Sequence, residues 1–193
     1  MTGDDFFTLP PDLPVPVDDG AADRLVGQPV PEVALPSTDG GLVHFTDFKA
    51  SRTVVYCYPR TSRPGEPPLS EDWDLIPGAR GCTPEACSFR DHHAELTALG
   101  AEVYGVSTQD TAYQQDAVQR LHLPFPLLSD ATLELTRTLQ LPTFEVAGQT
   151  LIKRLTFLVR TGRIEHVWYP VFPPDEHAEE VVTWLRGHPL RET

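Results

Sequence analysis

The stretch Gly81-Cys82-Thr83-Pro84-Glu85-Ala86-Cys87-Ser88-Phe89-Arg90-Asp91 constrains this chain more than any other. It carries two of only three cysteines in 193 residues. Thr83, Pro84 and Glu85 together predict a helix start: a hydroxyl N-cap, proline at the first helical position, then an acid in the first turn. The apolar positions Phe89, Leu96 and Leu99 continue the helix to a stop at Gly100. Cys82 then sits at a helix N-terminus, where unpaired N–H groups and the helix dipole favour a negative charge. A thiolate there is expected to have a lowered pKa and to be a good nucleophile. Residues five apart on a helix point ~140° away from each other, with Cα atoms ~8–9 Å apart, beyond the ~7 Å reach of a disulfide. Cys82 and Cys87 can therefore bond only if the first turn unwinds. The spacing suggests a switch and not a permanent structural bridge.

The same eleven residues closely resemble the active-site segment of the Q-type peroxiredoxins, also called bacterioferritin comigratory proteins. The resemblance runs over roughly residues 27–187. Gly105-Val106-Ser107, the run from Leu123 to Asp130, and Arg154-Leu155-Thr156-Phe157-Leu158-Val159 are similar to family segments in the same order. It implies that Cys82 attacks peroxide and becomes a sulfenic acid, and that Cys87 condenses with it to an intramolecular disulfide. Thioredoxin or a similar dithiol then reduces that disulfide. It also implies that Arg154 is the active-site arginine, stabilising the thiolate and hydrogen-bonding the peroxide. No metal, haem or flavin is expected. The implied activity is a thioredoxin-dependent peroxidase acting on hydrogen peroxide and organic hydroperoxides.

One feature departs from the family. Its members usually carry a proline seven positions and a hydroxyl three positions before the first cysteine; here those positions are Leu75 and Ala79. Tyr58-Pro59-Arg60-Thr61 ends a strand instead, and a segment of about 62–80 is inserted before Cys82. Pro59 and Thr61 are the candidates for the shielding proline and the hydroxyl, with Ser62 an equal alternative to Thr61. The insertion reads either as a solvated surface loop or as a segment whose Trp73 and Ile76 pack beside Cys82 and narrow access to it.

Alternation of strand and helix signals predicts an α/β fold. Val30–Leu35 and Leu42–Phe45 read as a hairpin turned at Asp39-Gly40-Gly41, and Thr53–Tyr58 as a buried central strand. Ala101–Ser107 reads as the next strand, followed by a helix near 111–121, a short strand at Leu127 and Leu128, and a helix at 131–139. Phe144–Leu151 reads as a second hairpin. Arg154–Val159 and Arg163–Trp168 read as paired strands, and 175–187 as the closing helix. The resemblance makes this a thioredoxin-like sandwich, a central mixed sheet flanked by helices. Residues 27–193 form that domain. Residues 1–26 form an acidic, proline-rich arm, either loosely packed or laid across the domain or a second subunit through Phe6 and Phe7.

Charge and cysteine usage set the remaining expectations. A net charge of −13 argues against nucleic-acid or anionic-membrane partners, which need basic surfaces. The acidic N-terminus, with no long apolar run after it, predicts neither a signal peptide nor a membrane span, and a cytoplasmic setting. A resolving cysteine on the same chain is compatible with a monomer; the arm would suit a weak homodimer. Cys57, in mid-strand, reads as a core residue. Cys82, Cys87 and His92 have poor spacing for zinc, and His92 and His93 read as helix-surface residues. Two other readings stay open: a peroxide-sensing thiol switch with little turnover, and a general thiol–disulfide oxidoreductase, although the Cys-x-x-Cys pair usual for the latter is absent.

Overall fold

The computed structural model describes residues 7–190. A short hairpin, β1 (Ala34–Pro36) and β2 (Leu42–His44), precedes the first central strand, β3 (Arg52–Cys57). The cysteine segment forms α1 (Cys82–Asp91), followed by α2 (His93–Ala98), β4 (Ala101–Ser107), α3 (Thr111–Leu121), β5 (Leu127–Ser129) and α4 (Glu134–Leu139). A second hairpin, β6 (Thr143–Val146) and β7 (Gln149–Ile152), leads into β8 (Leu155–Arg160), β9 (Arg163–Trp168) and α5 (His177–Gly187).

Five strands make the central sheet in the order β5-β4-β3-β8-β9. β3, β4 and β5 run parallel, while β8 is antiparallel to both β3 and β9. β3 is buried along its whole length and its side chains alternate between two cores. Val54 and Tyr56 face the layer that holds α1, α2, α3 and α5. Val55 and Cys57 face the opposite layer, with Leu135 and Leu139 of α4 and Leu35 of β1. The expected thioredoxin-like α/β sandwich is therefore the fold observed. Cys57 is fully buried in that second core, as its strand context predicts.

The elements differ from the expectation mainly at their ends. The first hairpin strand is shorter, because Val30 leaves it to hydrogen-bond with Gly162. The helix predicted from 83 to 99 is broken at His92, where the ring Nδ1 lies 2.9 Å from the Ser88 carbonyl oxygen. Thr83 is not its N-cap. Gly81 is, at φ 109°, and its carbonyl accepts from the Glu85 N–H at 3.0 Å. Only glycine fits: a Cβ there would lie 2.4 Å from Pro174 Cγ and 2.9 Å from Leu9 Cδ2. Cys82 thus becomes the first residue of the helix, and the start of α1 is wedged beneath two distant parts of the chain.

The described part of the N-terminal segment runs over this same end of the domain. Leu25 is fully buried in the second core, and Asp19 accepts from Lys153 Nζ (2.9 Å) and the Tyr169 hydroxyl (2.8 Å). These two donors hold the Asp19 carboxyl down at about 2. Phe7 is exposed, and Phe6 lies outside the described residues.

Candidate active site

Cys82 is placed by α1, is nearly buried, and lines a cavity of about 160 Å³. The helix is fixed from below by Phe89, whose ring stacks on Tyr56 of β3 at 4.5 Å. Arg154 stands at the junction of β7 and β8, next to β3 in the sheet, so its side chain reaches under the helix start. Its Nη2 lies 3.2 Å from Cys82 Sγ and also donates to the carbonyls of Gly78 (3.3 Å), Ala79 (3.4 Å) and Arg80 (3.2 Å). Its Nη1 donates to Glu85 Oε2 in a fully buried ion pair. The guanidinium fork therefore spans three partners: the sulfur, the carboxylate, and the backbone at the end of the inserted segment.

Glu85 was legible only as an acid in a first turn. It is a buried member of the site instead. Cys82, Glu85, Ala86 and Phe89 share one helix face by their spacing, and an acid within that otherwise inward stripe is the signal that would have found it. Burial pushes the Glu85 carboxyl up, opposed first by Arg154.

The same geometry corrects the expectation of a lowered Cys82 pKa. Burial pushes the thiol up; Arg154 opposes this, and the Glu85 charge adds to it. One cation already balanced by a carboxylate cannot fully compensate a second buried anion. The sign is testable. The thiolate is the reactive form, so Cys82 alkylation by iodoacetamide in a Cys87→Ser protein should keep accelerating with pH beyond ~8.5, the ordinary cysteine value. A rate that levels off in the mildly acidic range would contradict it.

Cys87 lies one and a half turns along α1 and is partly exposed. All three cysteines are free thiols, and α1 is helical through both of its own. Cys82 and Cys87 are thus not in bonding position, and the first turn must open to join them. Among the described residues no group of three or more His, Cys, Asp or Glu side chains is placed to hold a metal ion.

Pro59 and Thr61 follow β3 and are both buried. The Thr61 hydroxyl donates to Gln109 Oε1 at 3.2 Å, and the Thr61 N–H donates to the same oxygen at 2.9 Å. Gln109 Nε2 returns a bond to the Thr61 carbonyl at 3.0 Å. This reciprocal lock on the strand end was not foreseen. Ser62, with Arg60, lines the cavity over Cys82.

The inserted segment supplies most of that cavity's wall. Trp73 lines it and is buried, whereas Ile76 does not line it: it lines a separate cavity of about 290 Å³ together with Val15, Val17 and Phe144. Trp73, on a single helical turn (Trp73–Leu75), packs into a small apolar cluster with Ala79, Val146 and Leu151. The insertion is thus anchored on the β6–β7 hairpin.

Comparison with known proteins agrees with this architecture. The profile of the family described as Redoxin matches residues 25–182. Peroxiredoxin Bcp of Escherichia coli (strain K12) is 32% identical over 171 residues, covering 84% of this chain and 96% of that protein. The chloroplastic peroxiredoxin Q of Gentiana triflora is 30% identical over 162 residues, which is 83% of this chain but 66% of that longer protein. Among solved structures, peroxidoxin BcpB from Mycobacterium tuberculosis superposes with a TM-score of 0.68 at 25% identity, covering 86% of this chain and 98% of that one. The match to the redoxin profile, and a bacterial relative covered almost end to end, place the chain: it belongs to the redoxin family, as a peroxiredoxin of the Q/Bcp type.

Proposed function

We propose that the chain reduces hydrogen peroxide and organic hydroperoxides through Cys82, with Cys87 as the resolving thiol and a thioredoxin-like dithiol as reductant. The observation that carries this reading is the Arg154 guanidinium 3.2 Å from the sulfur of a cysteine that starts a helix and lines a cavity. Cys82 sulfur attacks one peroxide oxygen and the O–O bond breaks. The thiol proton passes to the leaving oxygen, so that thiol and hydroperoxide become sulfenic acid and alcohol, or water when the substrate is hydrogen peroxide. Negative charge builds on the leaving oxygen during attack, and a fixed donor aimed at that charge is the main catalytic lever. Arg154 supplies it. Arg60, which lines the same cavity as Cys82, is a further candidate donor. Ser62 places a hydroxyl on the cavity wall, while Pro59 and Thr61 hold the strand end that carries Arg60 and Ser62.

Resolution follows when the first turn of α1 opens. Cys87 sulfur attacks the sulfenic sulfur, a disulfide forms and water leaves. An external dithiol then restores both thiols and is itself oxidised to a disulfide. Cys87 already faces solvent in part, which suits access by such a partner. The binding of Asp19 by Lys153 and Tyr169 of the same chain favours an arm that serves its own fold, and hence a monomer. Among the described residues no helix is long and apolar enough to cross a membrane; three free thiols suit a reducing, cytoplasmic setting.

The test is a mass and peptide map after one equivalent of hydrogen peroxide is added to the reduced protein, with Cys87→Ser alongside. The expected wild-type product has lost two hydrogens, mapped to Cys82–Cys87. The variant gains one oxygen on Cys82, and at excess peroxide a second, giving the sulfinic acid. Turnover with a dithiol reductant separates a peroxidase from a sensor that oxidises once. Thiols that oxidise no faster than free cysteine would refute the reading.

A further inference from the structure

We propose that Trp73 is the specificity-determining residue of this site, and that its indole forms the fixed apolar wall against which the hydrocarbon part of an organic hydroperoxide packs. The inference rests on the peroxidase reading above and deepens it.

Three observations carry it. The first is size: a cavity needs only ~10–15 Å³ of such space to hold one water. At about 160 Å³, the space over Cys82 far exceeds what hydrogen peroxide occupies and accommodates a compact alkyl or aryl group. The second is chemistry. Trp73, Pro68 and Pro84 give the cavity apolar walls, the usual form of a small-molecule site. Its charged residues occur with both signs, Arg60 and Arg80 against Glu66, Glu71 and Asp74, so the lining selects by apolar shape and not by net charge. The third is rigidity. Trp73 is 6% exposed and its ring is 6.4 Å from that of Phe144, with Ala79, Val146 and Leu151 in the same cluster. The wall is therefore held by the β6–β7 hairpin and costs little ordering when a substrate arrives. Two residues on, Leu75 is 71% exposed and does not line the cavity. Of these two neighbours on the insertion, Trp73 alone lines the cavity that Cys82 lines.

An indole that contacts the substrate's hydrocarbon part contributes only when such a part is present, so the reading predicts a change in the ratio of two rate constants. The experiment measures second-order oxidation of Cys82 in the reduced protein, by quench and intact mass, with hydrogen peroxide and with cumene hydroperoxide. No reductant is involved. In Trp73→Ala the ratio of the cumene hydroperoxide constant to the hydrogen peroxide constant should fall roughly tenfold, the scale on which apolar pocket contacts discriminate. Trp73→Phe should regain most of the ratio and Trp73→Leu part of it, and both keep an apolar side chain packed against Phe144 should the alanine variant fold poorly. Leu75→Ala should leave the ratio at the wild-type value. A ratio that stays constant along the Trp, Phe, Leu series overturns the proposal, as does one that rises when the ring is removed, since the indole would then only obstruct. If the wild-type protein oxidises with neither peroxide, the peroxidase reading falls and takes this one with it; normal oxidation by both with an unmoved ratio refutes Trp73 alone.

Discussion

Replacing Arg154 with Met is expected to slow oxidation of Cys82 by hydrogen peroxide by roughly 10²–10³-fold, the usual cost of losing one preorganised donor at a developing oxyanion. Two separable losses contribute. Met cannot donate to the leaving oxygen, and the substitution removes the guanidinium that lies 3.2 Å from the sulfur. The Cys82 pKa therefore rises further, because the Arg154 charge is the largest influence that lowers it. A pH–rate profile resolves the two. If Arg154 acted only on ionisation, the variant would catch up with wild type at high pH; the defect should persist there instead, because the peroxide still lacks its donor. Arg154→Lys should recover only part of the rate. An ammonium is a point charge and cannot span sulfur, carboxylate and three carbonyls at once. A variant within threefold of wild type at every pH would remove Arg154 from the mechanism.

Arg154 could be named only through the family resemblance, from its place just before Thr156-Phe157-Leu158-Val159, and its partner Glu85 read only as an acid in a first turn. The strands could be read because period-two and all-apolar runs are local: β3 is buried on both faces and looks so at Thr53–Cys57. The two hairpins announced themselves by their glycine turns, at Gly40-Gly41 and Gly148. The start of α1 misled because Thr83-Pro84-Glu85 has the composition of a cap two residues too late. The real cap is Gly81, chosen by the approach of Pro174 and Leu9, residues far away in sequence. Glu85 misled for a related reason. An acid in a first turn is normally a solvated partner of the helix dipole; here Arg154, 69 positions later, turns it inward. The insertion had no periodicity to read, and only the fold divides Trp73 and Ile76 between different cavities, Trp73 lining the one that holds Cys82 and Ile76 the one that holds Val15 and Val17.

Glu85→Gln should move reactivity and stability in opposite directions. The side chain is fully buried, so its charge acts on Cys82 with little screening, and that charge pushes the thiol pKa up. Glutamine keeps an oxygen for Arg154 Nη1 and removes the charge. The Cys82 pKa should fall, and the thiolate fraction and alkylation rate at neutral pH should rise. The fold should lose about 3 kcal/mol at neutral pH, since breaking a buried pair leaves a buried cation incompletely compensated. That loss has a pH signature. In the wild-type protein the folded Cys82 pKa lies above the unfolded one, so its contribution to stability is complete below the unfolded value and is lost as pH rises through the folded value. In Glu85→Gln the gap narrows, burial still holding the folded value up, and the decline of stability with pH through that range should shrink. Urea unfolding at several pH values, alongside ultraviolet thiolate titration, measures both. If the thiol pKa does not move when the charge is removed, the carboxylate is not coupled to the sulfur and Glu85 is only a structural anchor for Arg154. If the pKa falls while stability is unchanged, then Arg154 was never short of a counter-charge, and the carbonyls of Gly78, Ala79 and Arg80 suffice to hold it.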